Sequence, residues 1–138
     1  MAQKSKIMYT ETKSIKVWQD SDGIGHVEFQ PKTEFGSYEL REYYTICKKQ
    51  SGGKPTPIIM DITNANLRDI IVTALLNKKF LEFTKAVAFI GWPRALHTQL
   101  LAYFMLKINT NPLPLKKFKK EKDAREWLMQ FVDKKTKK

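Results

Sequence analysis

Residues 58–77 read IIMDITNANLRDIIVTALLN. The first residues are apolar without interruption, as in a strand covered on both faces. The run continues a short segment, Thr56–Ile62, that lies between turn signals. After Asp61-Ile62-Thr63-Asn64-Ala65-Asn66 the period changes. Leu67, Ile70, Ile71, Ala74 and Leu75 fall on one stripe at helical spacing. A buried strand that hands over directly to a helix is half of a βαβ unit, and a second apolar strand, KAVAFIGW over Lys85–Trp92, follows. The polar residues at the handover suit either a ligand or switch site or a helix cap, with Asn64 or Asn66 accepting an N–H bond.

The rest of the chain fits around this unit. Ser14–Gln19 and Ile24–Gln30 read as strands joined by Asp20-Ser21-Asp22-Gly23, a β-hairpin whose glycine can take a positive φ. Val27 and Phe29 are expected on one side of its second strand, with His26 and Glu28 on the other, His26 pointing outward. Ser37 is the expected N-cap of a helix ending near Gln50, with Leu40, Tyr43, Tyr44 and Cys47 on its apolar stripe. Pro93 suits the first turn of a third helix running to about Lys107. A short strand over Leu115–Lys119 precedes a last amphipathic helix carrying Ala124, Trp127, Leu128, Phe131 and Val132. The order ββαβαβαβα predicts an α/β sandwich, its sheet mostly parallel with an antiparallel N-terminal hairpin. Residues 1–12 read as a loose segment, 13–132 as one domain and 133–138 as a basic tail.

Composition bounds the function. A chain of 138 residues with 42% apolar content suits one globular domain. No apolar run reaches the length of a membrane helix, and MAQKSKIMYTETK lacks the apolar centre of a signal peptide, which points to the cytoplasm. The single Cys47 offers neither an internal disulfide nor a cysteine metal cluster, and on the apolar stripe it reads as a small buried hydrophobe. The net charge is +11, of which residues 116–138 carry +6, with 10 basic against 4 acidic side chains. Lys116, Lys117, Lys119 and Lys120 form a basic patch that could bind nucleic acid without sequence preference. Phe118 stands among them and is expected to alternate inward along its strand. A solvated polycationic surface is the plainer reading.

Catalytic constellations are not legible. No Gly-rich phosphate loop, HExxH, CxxC or nucleophile elbow occurs. His26 and His97 lie on different elements, and Asp61 and Asp69 give no sign of converging. No metal site and no cofactor is implied. The carboxyl ends of parallel strands are where open α/β sheets bind ligands, which makes Asp61, Thr63, Asn64, Trp92 and Arg94 a candidate binding rim. Arg94 falls in a first helical turn, where an anion is favoured. The helix around LLAYFML, residues 100–106, is apolar nearly all round, so Leu101, Tyr103 and Met105 are a candidate self-association face for a homodimer.

VWQDSDGIGHVEF, PIIMDITNAN, AVAFIGWP and the NPLPLKKF…DAREWL ending, in that order over about residues 14–131, resemble the STAS/SEC14-like domains. This is the SpoIIAA-like superfamily of anti-sigma-factor antagonists, and the resemblance points to an uncharacterised bacterial branch of it. It implies the STAS fold and a regulatory module that docks on a protein partner. In the antagonists a pattern D-L-S-G-V-x-x-x-D-S-S-G carries a serine phosphorylated by a partner kinase. Asp61 and Asp69 keep the spacing of its two aspartates, but Ile70 and Ile71 stand where the serines belong, which implies that the switch does not operate there. The SEC14-like side of the superfamily implies instead a small apolar or amphiphilic ligand, with Phe89, Trp92, Tyr103 and Phe104 as candidate lining. An unidentified protein partner is the expectation carried forward.

Overall fold

The computed structural model describes residues 7–31, 34–65, 78–91 and 113–132. Nine regular elements are placed there: β1 (Ile7–Glu11), β2 (Ile15–Gln19), β3 (Gly25–Phe29), α1 (Ser37–Ser51), β4 (Thr56–Asp61), α2 (Lys78–Glu82), β5 (Thr84–Ile90), β6 (Leu115–Phe118) and α3 (Glu121–Leu128). A 3-10 turn over Met129–Phe131 follows α3. The expected helix between β5 and β6, the body of the helix after Asn64 and the basic tail lie outside the described residues.

The strands form one six-stranded sheet in the order β1-β2-β3-β4-β5-β6. β1, β2 and β3 pair antiparallel, whereas β3 to β6 run parallel. The antiparallel N-terminal hairpin and parallel remainder agree with the sequence expectation. Alternation splits the apolar residues into two cores. One face carries Ile15, Val17, Val27, Phe29, Ile58, Met60, Val87 and Phe89, packed with Leu40, Tyr43 and Ile46 of α1 and Phe80 of α2. The other carries Ile59, Ala86 and Ala88 under Ala124 and Leu128 of α3, with Ile24 and Val132. The alanines leave room for α3 to lie close to β4 and β5.

Three local expectations are corrected. The sequence predicts a loose segment over residues 1–12, but Ile7–Glu11 form the edge strand β1. Its residues are nearly all exposed, so no alternation marks it, and its register shifts between Ile7 and Thr10. The cap of α1 is Gly36 and not Ser37; the Gly36 amide donates to Glu39 Oε1 at 2.8 Å, a bond that reaches back over the first turn. His26 does not point to solvent. It is buried at 5% exposure, because the sheet is covered on both faces at β3.

Candidate functional site

At the carboxyl ends of β4 and β5 the chain makes a tight rim. Ile62 donates its amide to the Ile90 carbonyl at 2.8 Å, carrying the pairing of the two strands one residue past β4. Asp61 Oδ1 then accepts the Thr63 amide at 3.0 Å and the Thr63 hydroxyl at 2.6 Å, an Asx turn closed by its own side chain. The Ala65 amide donates to the Ile62 carbonyl at 3.0 Å. Gly91 packs against this turn at φ +82°, and a Cβ there would stand 2.2 Å from Thr63 Oγ1 and 2.8 Å from the Thr63 amide nitrogen. Asp61 is half-buried, and Thr63 and Asn64 are exposed. The rim thus brings Asp61 and Thr63 together, with Asn64 beside them. Trp92 and Arg94 lie outside the described residues, as do Asn66, His97 and the proposed self-association residues Leu101, Tyr103 and Met105. Below the rim on the α3 side, a cleft of about 20 Å³ lies between His26, Glu28, Asp61, Ile90 and Glu121, room for about one water molecule. Among the described residues no group of three His, Cys, Asp or Glu side chains is arranged to hold a metal ion.

Among the described residues the most densely bonded polar cluster lies elsewhere, and the sequence gives no direct sign of it. The Asp20–Gly23 segment turns as expected, with the Gly23 amide donating to the Asp20 carbonyl and Gly23 at φ +88°. Asp20 is 3% exposed. Its Oδ1 accepts the amides of Asp22 and Ile24 at 2.9 and 3.3 Å. Its Oδ2 lies 2.9 Å from His26 Nε2 and also accepts Arg125 Nη1, while Arg125 Nη2 donates to Asp22 Oδ2. Burial alone would raise the Asp20 carboxyl. The His26 hydrogen bond, the Asp22 amide and the Arg125 charge outweigh it and hold the pKa below the ordinary value. Asp20 is therefore the anion of the cluster, and His26 Nε2 is the donor to it. The His26 ring stacks on Trp18 at 4.9 Å and 11°, and Trp18 meets Tyr9 at 5.8 Å. A signal was present: Arg125 sits between Ala124 and Leu128, beside the buried stripe of α3, where a charge needs a partner.

Other singled-out residues are placed more simply. Cys47 is partly buried on α1, and burial pushes its thiol up to about 11. The basic patch is split. Lys116 and Phe118 share the face of β6 that carries α3, and Lys117 points to the other. Phe118 is half-buried against Trp127, at the margin of the smaller core. At the opposite end of the sheet from the rim, a groove of about 810 Å³ runs past Gln19, Ser21, Gln50, Lys54, Thr56 and Lys85. No described helix is long and apolar enough to cross a membrane.

No curated protein matches the chain. Among solved structures, an uncharacterised protein of the DUF3478 family from Shewanella loihica PV-4, described as having a SpoIIAA-like fold, superposes with a TM-score of 0.55 at 18% identity. The superposition covers 93% of this chain and 98% of that one. The fold is therefore the STAS/SpoIIAA-like sandwich, as the sequence motifs suggested. Residues 17–132 match the family model described as domain of unknown function DUF7793, and this chain belongs to that family.

Proposed function

We propose that this chain is a non-catalytic regulatory module of the STAS type, cytoplasmic, that acts by docking a protein partner through the Asp61–Thr63–Asn64 rim. The observation that carries the reading is the rim's construction. Thr63 and Asn64 are exposed on a turn fixed by the Ile62–Ile90 bond, the two bonds to Asp61 and the close approach of Gly91. A polar turn held in one conformation loses little freedom when a partner covers it, which favours recognition. The conspicuous titratable groups support a structural use over a chemical one. Asp20, His26 and Arg125 satisfy one another, and the Cys47 thiol stays neutral at physiological pH. With Ile70 and Ile71 at the serine positions, the module would work without that phosphorylation. A small apolar or lipid-like ligand is the weaker reading, since the large groove mixes Ile7, Pro57, Met129 and Val132 with Asp22, Lys54 and Lys85 and offers no continuous apolar wall.

The test is site-specific photo-crosslinking in the native host, with the reactive group at position 64. One stoichiometric partner is expected, lost when Thr63→Arg is added to a chain that keeps its circular dichroism and melting temperature. Undiminished capture by that variant, or a scatter of unrelated adducts, would overturn the docking reading.

A further inference from the structure

Rings and cations meet on the edge formed by β6 and α3, at the same end of the sheet as the rim. The Phe118 and Trp127 ring centroids are 5.7 Å apart, and Trp127 and Phe131 are 5.1 Å apart. Lys116 Nζ stands 5.4 Å from the Phe118 centroid. All three rings are half-buried, whereas Lys116, Lys119, Lys120 and Lys122 are exposed. Packing against Ala124 and Leu128 explains the inner edges of the rings. It does not explain the charge that flanks Phe118 in the chain: residues 116–122 read KKFKKEK, five lysines against one glutamate. Glu121 and Asp123 occupy the first turn of α3, where the helix dipole favours them. Arg125 is taken up by Asp20 and Asp22.

We propose that Phe118, Trp127 and Phe131, with Lys116, Lys119, Lys120 and Lys122, form a binding surface for single-stranded nucleic acid. Bases stack on the outward ring faces, and the ammonium groups follow the phosphates. A single strand fits better than a duplex, because paired bases present no free face to a ring. It also fits better than an anionic bilayer. The rings are half sunk and not protruding, so they do not reach into an acyl layer as a bilayer anchor must. This surface borders the docking rim, since Phe118 pairs with Ile90 and Glu121 shares a cleft with Asp61, but it uses none of the rim residues.

The experiment is fluorescence anisotropy of a labelled twelve-nucleotide thymidine strand titrated with the full chain at several salt concentrations. Four phosphate contacts predict a log–log salt slope of about −3. Trp127→Ala is expected to weaken binding about tenfold, while Trp127→Phe, which keeps a ring, changes it less than about threefold. Lys120→Glu, at an exposed position that leaves the core untouched, should flatten the salt slope and weaken binding even if Trp127→Ala proves unstable. Absence of binding at low salt would overturn the proposal. So would equal affinity for duplex, equal affinity of Trp127→Ala and wild type in folded form, an unchanged Lys120→Glu, or displacement of the strand by phosphatidylserine vesicles.

Discussion

Gly91 is the residue on which the rim turns. At φ +82° a side chain is strained in any surroundings, and here its Cβ would also meet the Thr63 backbone. Gly91→Ala is expected to cost more than about 2 kcal/mol, read from urea denaturation, and to disturb the Asp61–Thr63 turn. Cys47 makes a second residue-scale prediction. With its thiol raised from 9.0 to about 11, the thiolate fraction at pH 8 falls about a hundredfold, and alkylation of the native protein should slow accordingly. Unfolding in denaturant should restore ordinary reactivity. The helical stripe placed Cys47 against the core, a local property, although the side chain is only partly buried there. It misplaced His26, because alternation along a strand separates two faces without saying which of them is wet. On a sheet covered on both sides, neither face is wet at β3.

At the scale of elements, α3 is held by shape and by charge. Ala86, Ala88 and Ala124 are all fully buried, and they let the helix approach β5. Arg125 then reaches the β2–β3 turn. Because the folded pKa of Asp20 is depressed, its stabilising contribution is present above the unfolded carboxyl value, near 4, and is lost as pH falls through the lower folded value. The wild-type urea midpoint should therefore drop below about pH 4, and Asp20→Asn should remove that part of the profile. At neutral pH the same substitution leaves the Arg125 charge undercompensated and should cost about 3 kcal/mol, or about 10 °C in melting temperature. Ala88→Leu tests the shape component. Overpacking should cost about 2 kcal/mol, and by lifting α3 from Asp20 it should also blunt the acid limb. α1 was legible as the stripe Leu40, Tyr43, Tyr44 and Cys47, and β4 and β5 as the apolar runs Thr56–Ile62 and Lys85–Trp92, whereas α2, a single short turn of helix, left no stripe of its own. The Arg125 clamp was not, since nothing local to either end names the other.

Across the whole molecule, the sheet is organised around its parallel centre, and its hairpin side ends in an irregular strand. β1 exposes Ile7, Met8 and Tyr9, and a sheet edge with apolar side chains invites pairing with another chain. Two features oppose this. The register shift bends the strand, with Met8 at φ +56°, and Gln50 of α1 draws the Met8 carbonyl inward at 2.8 Å. The SpoIIAA-like fold could be read from motif order because the strands follow one another at the spacing that fold requires. β1 escaped notice because an edge strand leaves no alternating trace. The clamp between Arg125 and Asp20 has a kinetic consequence as well. Its ends are 105 residues apart, and closing a loop of that length costs about 4 kcal/mol of chain entropy. A nascent chain can assemble β2 and β3 early, but Asp20 gains its guanidinium only when the last described helix arrives. A contact that closes so long a loop is expected to form after the folding barrier and to act mainly as a brake on opening. Arg125→Ala, at a loss of about 2 kcal/mol, should speed unfolding about thirtyfold and leave the refolding rate almost unchanged in stopped-flow measurements.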